Sequence, residues 1–307
     1  MASNPIVIVG SINMERAVGT PYIHVGDQTV SGRDFAAIPG DKGATQAVAI
    51  ARLGEPAVLI GRVGADSVGE ALLTGLKANG VDCTWIRSTP GAAGGTATVA
   101  APDHDENAIT PAGGANLEVT PADVDAAEEA IRTAKVCLLQ LEIPFETVAH
   151  AIDVCHRHGV ETILDTAPLP QDGLPDSLFR VEVLSSNETQ ASQLTGLSAA
   201  KSPQAVAAAL SKRGCRSVVL KLGQHGAYVF SPEGESAVPG FAVTVVDTTA
   251  AGDAFTAALA VARNWGWKLT EAIRFANAAG ALACTRRGAQ SSMPTLSEVE
   301  TLLAGQP

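Results

Sequence analysis

Short apolar, often β-branched runs alternate along the chain with stretches of helical length in which apolar residues recur at three- and four-residue spacing. The strand pattern falls on Ile6–Val9, Ala57–Arg62, Val136–Leu141, Glu161–Leu164, Val181–Leu184 and Ser217–Leu222. The helix pattern falls between them, on Ala44–Leu53, Gly69–Ala78, Pro121–Thr133, Phe145–His158, Glu188–Leu194 and Pro203–Arg213. Gly54, Gly80, Gly159 and Gly214 follow four of these helices, where glycine closes a C-terminus. Strictly alternating β and α units predict an α/β fold, a three-layer sandwich whose central, mostly parallel sheet has helices on both faces.

Two stretches interrupt the alternation. Residues 14–38 and 83–113 carry no helix pattern, and Gly94–Ala100 reads as a strand with one bare face. They predict a small β-sheet lid, inserted into a single globular unit spanning residues 1–307 and folded over the open edge of the main sheet. After Leu222, Ala227–Phe230, Ser236–Val238 and Phe241–Val246 read as antiparallel strands. Helices are expected over Ala251–Arg263, Leu269–Thr285 and Leu296–Leu303.

Composition narrows the partners. The chain has 307 residues, 46% of them hydrophobic and 17% charged, with a formal net charge of −11. Such a chain buries a sizeable core without staples, and its acidity argues against nucleic acid or an anionic membrane as the main partner. No run approaches the length of a membrane span. Five scattered cysteines without a CxxC spacing read as reduced thiols, so a cytoplasmic location is expected.

Two segments carry chemistry. In Asp247–Phe255 an apolar strand pattern meets an Ala-rich helix through small residues. Free N–H groups at a helix start, together with the macrodipole, favour an anion. Asp253 in the first turn reads either as a base beside a bound phosphate or as a plain helix-capping acid. In Pro39–Ala47, Gly40 and Gly43 bracket Asp41 and Lys42 just before a helix. The spacing is not that of a Walker A loop.

Taken together, these segments resemble the phosphofructokinase-B-type (PfkB) family of carbohydrate kinases. Gly10–Asn13 resembles the family opening, Gly40–Ala47 its first signature and Asp247–Phe255 its second. Gly113–Asn116, Gln140–Glu142, Asn187–Thr189, Leu222–Gly223, Ala272–Ala279 and Thr285–Gln290 follow in the family order, so the likeness runs the full length. The resemblance implies transfer of the ATP γ-phosphoryl group to the primary hydroxyl of a pentose, D-ribose first among them. By the same carry-over Asp253 is the catalytic base, and the backbone of Ala250, Ala251 and Gly252 is the anion hole. Asn13, Glu15, Gly40, Asp41, Lys42, Thr45, Glu142 and Asp253 fall at sugar-binding positions. Asn187, Gln190, Lys221, Gly223, Gln224, His225, Gly226, Gly252 and Asn277 fall at nucleotide-binding positions. Asp247, Thr249, Ala283, Arg286, Gly288 and Ser292 fall at a monovalent-cation site that would hold K⁺, and Mg²⁺ would arrive with ATP. Family members also pair through their lids, so a homodimer is expected.

Four positions depart from the family pattern. Glu15 stands where aspartate is usual, Asp41 where glycine is usual, Thr45 where asparagine is usual and Gln190 where glutamate is usual. The first three lie on the sugar side and suggest an altered sugar preference. Gln190 should weaken ordering of the Mg²⁺ water shell. Two alternatives follow: a family kinase for another sugar or a nucleoside, or a catalytically weak sugar- or nucleotide-binding regulatory protein.

Overall fold

The computed structural model describes residues 3–23, 26–102 and 108–306. Ile6–Val9 (β1) opens the main sheet, and Asn13–Thr20 (β2) with Phe35–Gly40 (β3) leaves it for a second, smaller one. Lys42–Arg52 (α1), Ala57–Gly64 (β4), Ser67–Ala78 (α2) and Ile86–Thr89 (β5) return to the main sheet. Gly95–Pro102 (β6) and Ala108–Ala112 (β7) complete the small one. Then follow Pro121–Ala126 (α3), Glu128–Thr133 (α4), Val136–Leu139 (β8), Phe145–His158 (α5), Glu161–Asp165 (β9), Val183–Asn187 (β10) and Glu188–Thr195 (α6). The last third holds Pro203–Ser211 (α7), Ser217–Lys221 (β11), Ala227–Ser231 (β12), Gly234–Val238 (β13), Ala251–Asn264 (α8), Leu269–Ala283 (α9) and Leu296–Gly305 (α10).

The main sheet runs β13-β12-β11-β10-β9-β8-β1-β4-β5. All neighbours from β11 to β5 are parallel, and only β12 and β13 join antiparallel at one edge. Because successive side chains alternate in a strand, Ile6 and Ile8 pack into one buried cluster with α1, α2, α8 and α9, while Val7 and Val9 pack into another with α3–α7. That is the expected three-layer sandwich. The C-terminal ends of the parallel strands, where open α/β sheets bind ligands, carry Gly10, Gln140, Asp165, Asn187 and Lys221.

The small sheet runs β3-β2-β6-β7. Asn13 pairs with Gly40 on one side and Gly95 on the other, so the sheet springs from the strand-end face of the core. Of the stretch 83–113, Ile86–Thr89 pairs instead with β4 in the main sheet, and residues 103–107, like 24–25, lie outside the described residues.

Two expectations need correction. Pro121–Thr133 is two helices, separated at Ala127 (φ −98°, ψ 9°), whose carbonyl accepts the amides of Ala130 and Ile131 as helical bonding resumes. Phe241–Val246 is not a strand. Its side chains line a cavity rather than a neighbouring strand, and Val245 and Val246 are exposed. Its backbone bonds go to the Gln306 side chain and to the Cys284 carbonyl.

Candidate active site

Two helix starts converge at the strand ends. α1 begins at Asp41 (φ 77°, ψ 157°) and α8 begins at Ala250 (φ 58°, ψ 12°); these are the two non-glycine residues with positive φ among the described residues. Lys42 and Gln46, one turn apart on α1, share a face and both reach Asp253 in the first turn of α8. Lys42 Nζ lies 3.5 Å from Asp253 Oδ1, and Gln46 Nε2 donates to the same carboxylate at 2.9 Å. Asp253 is 7% exposed. Burial raises its pKa, with Lys42 pulling the other way and Asp165 adding to the rise. Burial opposes the charge on Lys42, but Asp253, Asp165, Glu142 and Asp41 outweigh it, so the ammonium is held protonated.

Around α8, the amides of Ala250 and Gly252 have no acceptor among the described residues, whereas Ala251 N–H donates back to Thr248 O at 3.3 Å. Of the three amides expected to face an anion, two are therefore free donors. A cavity of about 810 Å³ opens beside it. Lys221, Gly223, Gln224, His225, Gly226, Gly252 and Asn277 all line this cavity. Gly226 (φ 86°) is confined to glycine, because a Cβ there would meet Val238 O at 2.1 Å. Asn277 Nδ2 donates to the carbonyls of Val238 and Pro239, each at 3.1 Å, and so ties α9 to that wall.

Asn187 and Gln190 do not line the cavity. They form the capping box of α6: Asn187 Oδ1 accepts Gln190 N at 2.8 Å, and Gln190 Oε1 accepts Asn187 N at 3.3 Å and Thr166 Oγ1 at 3.2 Å. With its oxygen engaged, Gln190 leaves only amide protons on offer.

On the sugar side, Ser11 Oγ donates to Glu142 Oε2 at 2.5 Å, and the same oxygen accepts Lys42 N at 3.3 Å. Asn13 Oδ1 accepts Asn116 Nδ2 at 2.6 Å. Burial raises the Glu15 pKa, with the nearby Asp41 backbone pulling the other way. Asp41 is raised well above the usual carboxylate range, by burial and by Glu142 beside it. Asp41 Oδ2 and Thr45 Oγ1 are buried without a hydrogen-bond partner among the described residues. Gly40 leaves room for Glu15, since a Cβ there would stand 2.5 Å from Glu15 Oε1.

Of the expected cation residues, Asp247 laces two loops together. Its Oδ1 accepts Thr249 N at 2.9 Å and Thr249 Oγ1 at 2.6 Å, and its Oδ2 accepts Gly288 N at 2.9 Å. Burial alone would raise the Asp247 pKa; these hydrogen bonds and Arg287 lower it below the ordinary value. Ala283 O accepts Arg286 N at 3.4 Å, while Ser292 Oγ turns to Ala289 O. The Arg286 side chain pairs with Glu298.

Sequence reasoning passed over Ser11, Gln46, Asn116, Gln140 and Asp165. All five are buried to 1% exposure or less. Ser11, Gln46, Asn116 and Gln140 lie inside the family-like segments without a role given to them there, and Asp165 lies outside them all; position marks them, with Gln46 four residues after Lys42 and Gln140 and Asp165 at or just past the C-terminal ends of strands.

Comparison with known proteins places the chain in a family. The model of the pfkB family carbohydrate kinases matches residues 3–296. A ribokinase of Bacillus subtilis is 38% identical over 303 residues, covering 97% of this chain and 99% of its own. The structure of an Arabidopsis thaliana ribokinase complexed with ribose and ATP superposes with a TM-score of 0.88 at 33% identity, over 99% of each chain. An Escherichia coli protein described as a ribokinase II, solved with ATP and Mg²⁺, superposes with a TM-score of 0.81 at 25% identity over the whole of both chains.

Proposed function

The chain belongs to the pfkB family of carbohydrate kinases, and from that premise we propose that it phosphorylates the primary hydroxyl of D-ribose, with ATP as donor, to give D-ribose 5-phosphate. It is a phosphotransferase with an alcohol group as acceptor. The observation that carries the reading is the buried Asp253 carboxylate, set between two free helix-start amides on the nucleotide side and Lys42 on the sugar side.

ATP lies in the 810 Å³ cavity, and the sugar lies against Asn13, Glu15, Gly40, Asp41, Lys42, Thr45 and Glu142. The sugar hydroxyl oxygen bonds to the γ-phosphorus, the bond from that phosphorus to the β,γ-bridging oxygen breaks, and ADP leaves. Asp253 takes the hydroxyl proton. The amides of Ala250 and Gly252 meet the charge that gathers on the transferred group, a contribution of about 2.7–4 kcal/mol for one such donor in a well-studied case. Mg²⁺ neutralises phosphate charge when it arrives with ATP. No group of three or more His, Cys, Asp or Glu side chains stands ready for it among the described residues, so phosphates and water would hold it, with Asn187 and Gln190 as outer contacts. K⁺ suits the oxygen-rich set of Asp247, Thr249, Ala283, Arg286, Gly288 and Ser292 and would brace the turn before α8. We extend the reading to a cytoplasmic homodimer closed through the small sheets. In its support, the five cysteines are free, and Tyr22 and Phe35 are exposed on the small sheet or just past its end. No described helix is long and apolar enough to cross a membrane.

A second reading, a different pentose or a nucleoside as acceptor, is favoured by Asp41 and Thr45, whose unpartnered polar atoms sit where the sugar would bind. A coupled ADP-release assay over ribose, other pentoses, hexoses and nucleosides decides between the two. Ribose turnover abolished by Asp253→Asn supports the first, and turnover restricted to another acceptor supports the second. Turnover that survives Asp253→Asn overturns both.

A further inference from the structure

We propose that Asp165 is a positioning residue for phosphoryl transfer: it holds the Lys221 ammonium beside the free amides of α8 and, through Gln46, ties that ammonium to Asp253. The inference rests on the kinase reading above.

Asp165 is fully buried at the C-terminal end of β9 and lines neither the cavity nor the expected sugar positions. Its Oδ1 accepts Lys221 Nζ at 3.0 Å, and its Oδ2 accepts Gln46 Nε2 at 3.2 Å. The same Gln46 nitrogen donates to Asp253 Oδ1 at 2.9 Å. The orientation of that amide is not free. Gln140 Nε2 donates to Gln46 Oε1 at 2.6 Å, which leaves the two-proton nitrogen to face two carboxylates. One unbroken chain thus runs from Lys221 on the nucleotide wall to Asp253 on the sugar side.

Lys221 stands where transferred charge would develop. It borders the cavity, and a Cβ built on Gly252 would lie 3.7 Å from its Nζ. Positioned cations and donors carry most of the catalysis in phosphoryl transfer. A lysine is a flexible point charge, so its use there requires a fixed partner. A buried ion pair contributes little net stability, which makes positioning the better account of why a carboxylate is buried here. Along this chain two lysines, Lys42 and Lys221, face two aspartates, Asp253 and Asp165.

The test compares Asp165→Asn, Lys221→Met and the double variant by kcat, KM for ATP and KM for ribose, with thermal melting to confirm folding. Asp165→Asn is expected to lower kcat about tenfold with KM for ribose within about twofold, and Lys221→Met about a hundredfold. The double variant is expected to match Lys221→Met, because Asp165 acts through Lys221. It buries no unpaired charge, so it reports the Lys221 loss even where Lys221→Met alone fails to fold. A wild-type kcat in Asp165→Asn, or losses that multiply in the double variant, overturns the inference. Asp253→Asn separates the two levels. If it retains turnover, the kinase reading falls. If it is inactive while Asp165→Asn runs at the wild-type rate, only the positioning role falls.

Discussion

The starts of α1 and α8 meet at one aspartate, yet only one of them is equipped to receive an anion. At α1 every amide of the first helical turn is engaged: Lys42 N–H with Glu142, Gly43 N–H with Ser11 Oγ, Ala44 N–H with Ser11 O and Thr45 N–H with Asp41 O. Three carboxylates, from Glu15, Asp41 and Glu142, crowd the same end. At α8 the residues are small, and Ala250 and Gly252 N–H are free. The macrodipole is common to both ends. What differs is whether its donors are already satisfied, so a helix N-terminus can receive an anion only where the chain leaves amides unpaired. The α1 end, rich in acceptors, suits sugar hydroxyls.

The largest blow to this division is loss of the base. Asp253→Asn is expected to lower kcat by about 10²–10⁴, measured as ADP release at saturating ribose. Next comes removal of a free donor. Gly252→Pro keeps the first turn of α8, where proline is tolerated, but deletes one amide. We expect a kcat loss of about 10²–10³ with little change in KM for ribose; a loss confined to KM would assign that amide to binding instead.

Asp41→Gly sharpens the sugar side. Its φ and ψ fall in a region that is essentially glycine-only, at a cost of about 1–3 kcal/mol. The variant should therefore unfold later in a denaturant titration. The native Asp41 carboxyl keeps its proton at pH values where the unfolded chain has lost it. Wild-type stability accordingly falls as pH rises from the ordinary carboxylate range through the raised native pKa. Asp41→Gly should flatten that slope. A smaller effect is the acid limb of kcat. Asp253 must be ionised to accept a proton and its pKa is raised, so the rate should fall at a pH above the ordinary aspartate value of about 3.9. Smallest is Ala250→Gly, which frees the left-handed α8 start and should change stability by less than about 1 kcal/mol.

Much of this was legible in the chain. Asp253, the α8 turn and the segment from Lys221 to Gly226 lie in short contiguous motifs, and local sequence places them on one strand end or helix start. Residues joined only by sheet order were not legible. Gln46, Gln140 and Asp165 meet because β8 lies between β1 and β9, a neighbour relation that periodicity does not encode. The chain from Phe241 to Val246 has the apolar content of a strand, but a cavity occupies the side where its partner would be. The α1 start shows the opposite failure. Asp41 reads as a simple substitution, and only the backbone reveals that it occupies a glycine conformation beside a second acid.

The most direct test of the division between phosphoryl end and sugar end is ³¹P NMR of wild type and Asp253→Asn incubated with ATP, Mg²⁺, K⁺ and ribose. The account predicts, in wild type alone, a new phosphomonoester signal split by the two protons of a CH₂–O–P group and growing in step with ADP. Inorganic phosphate without a sugar ester, a signal split by a single proton, or equal product from Asp253→Asn would contradict it.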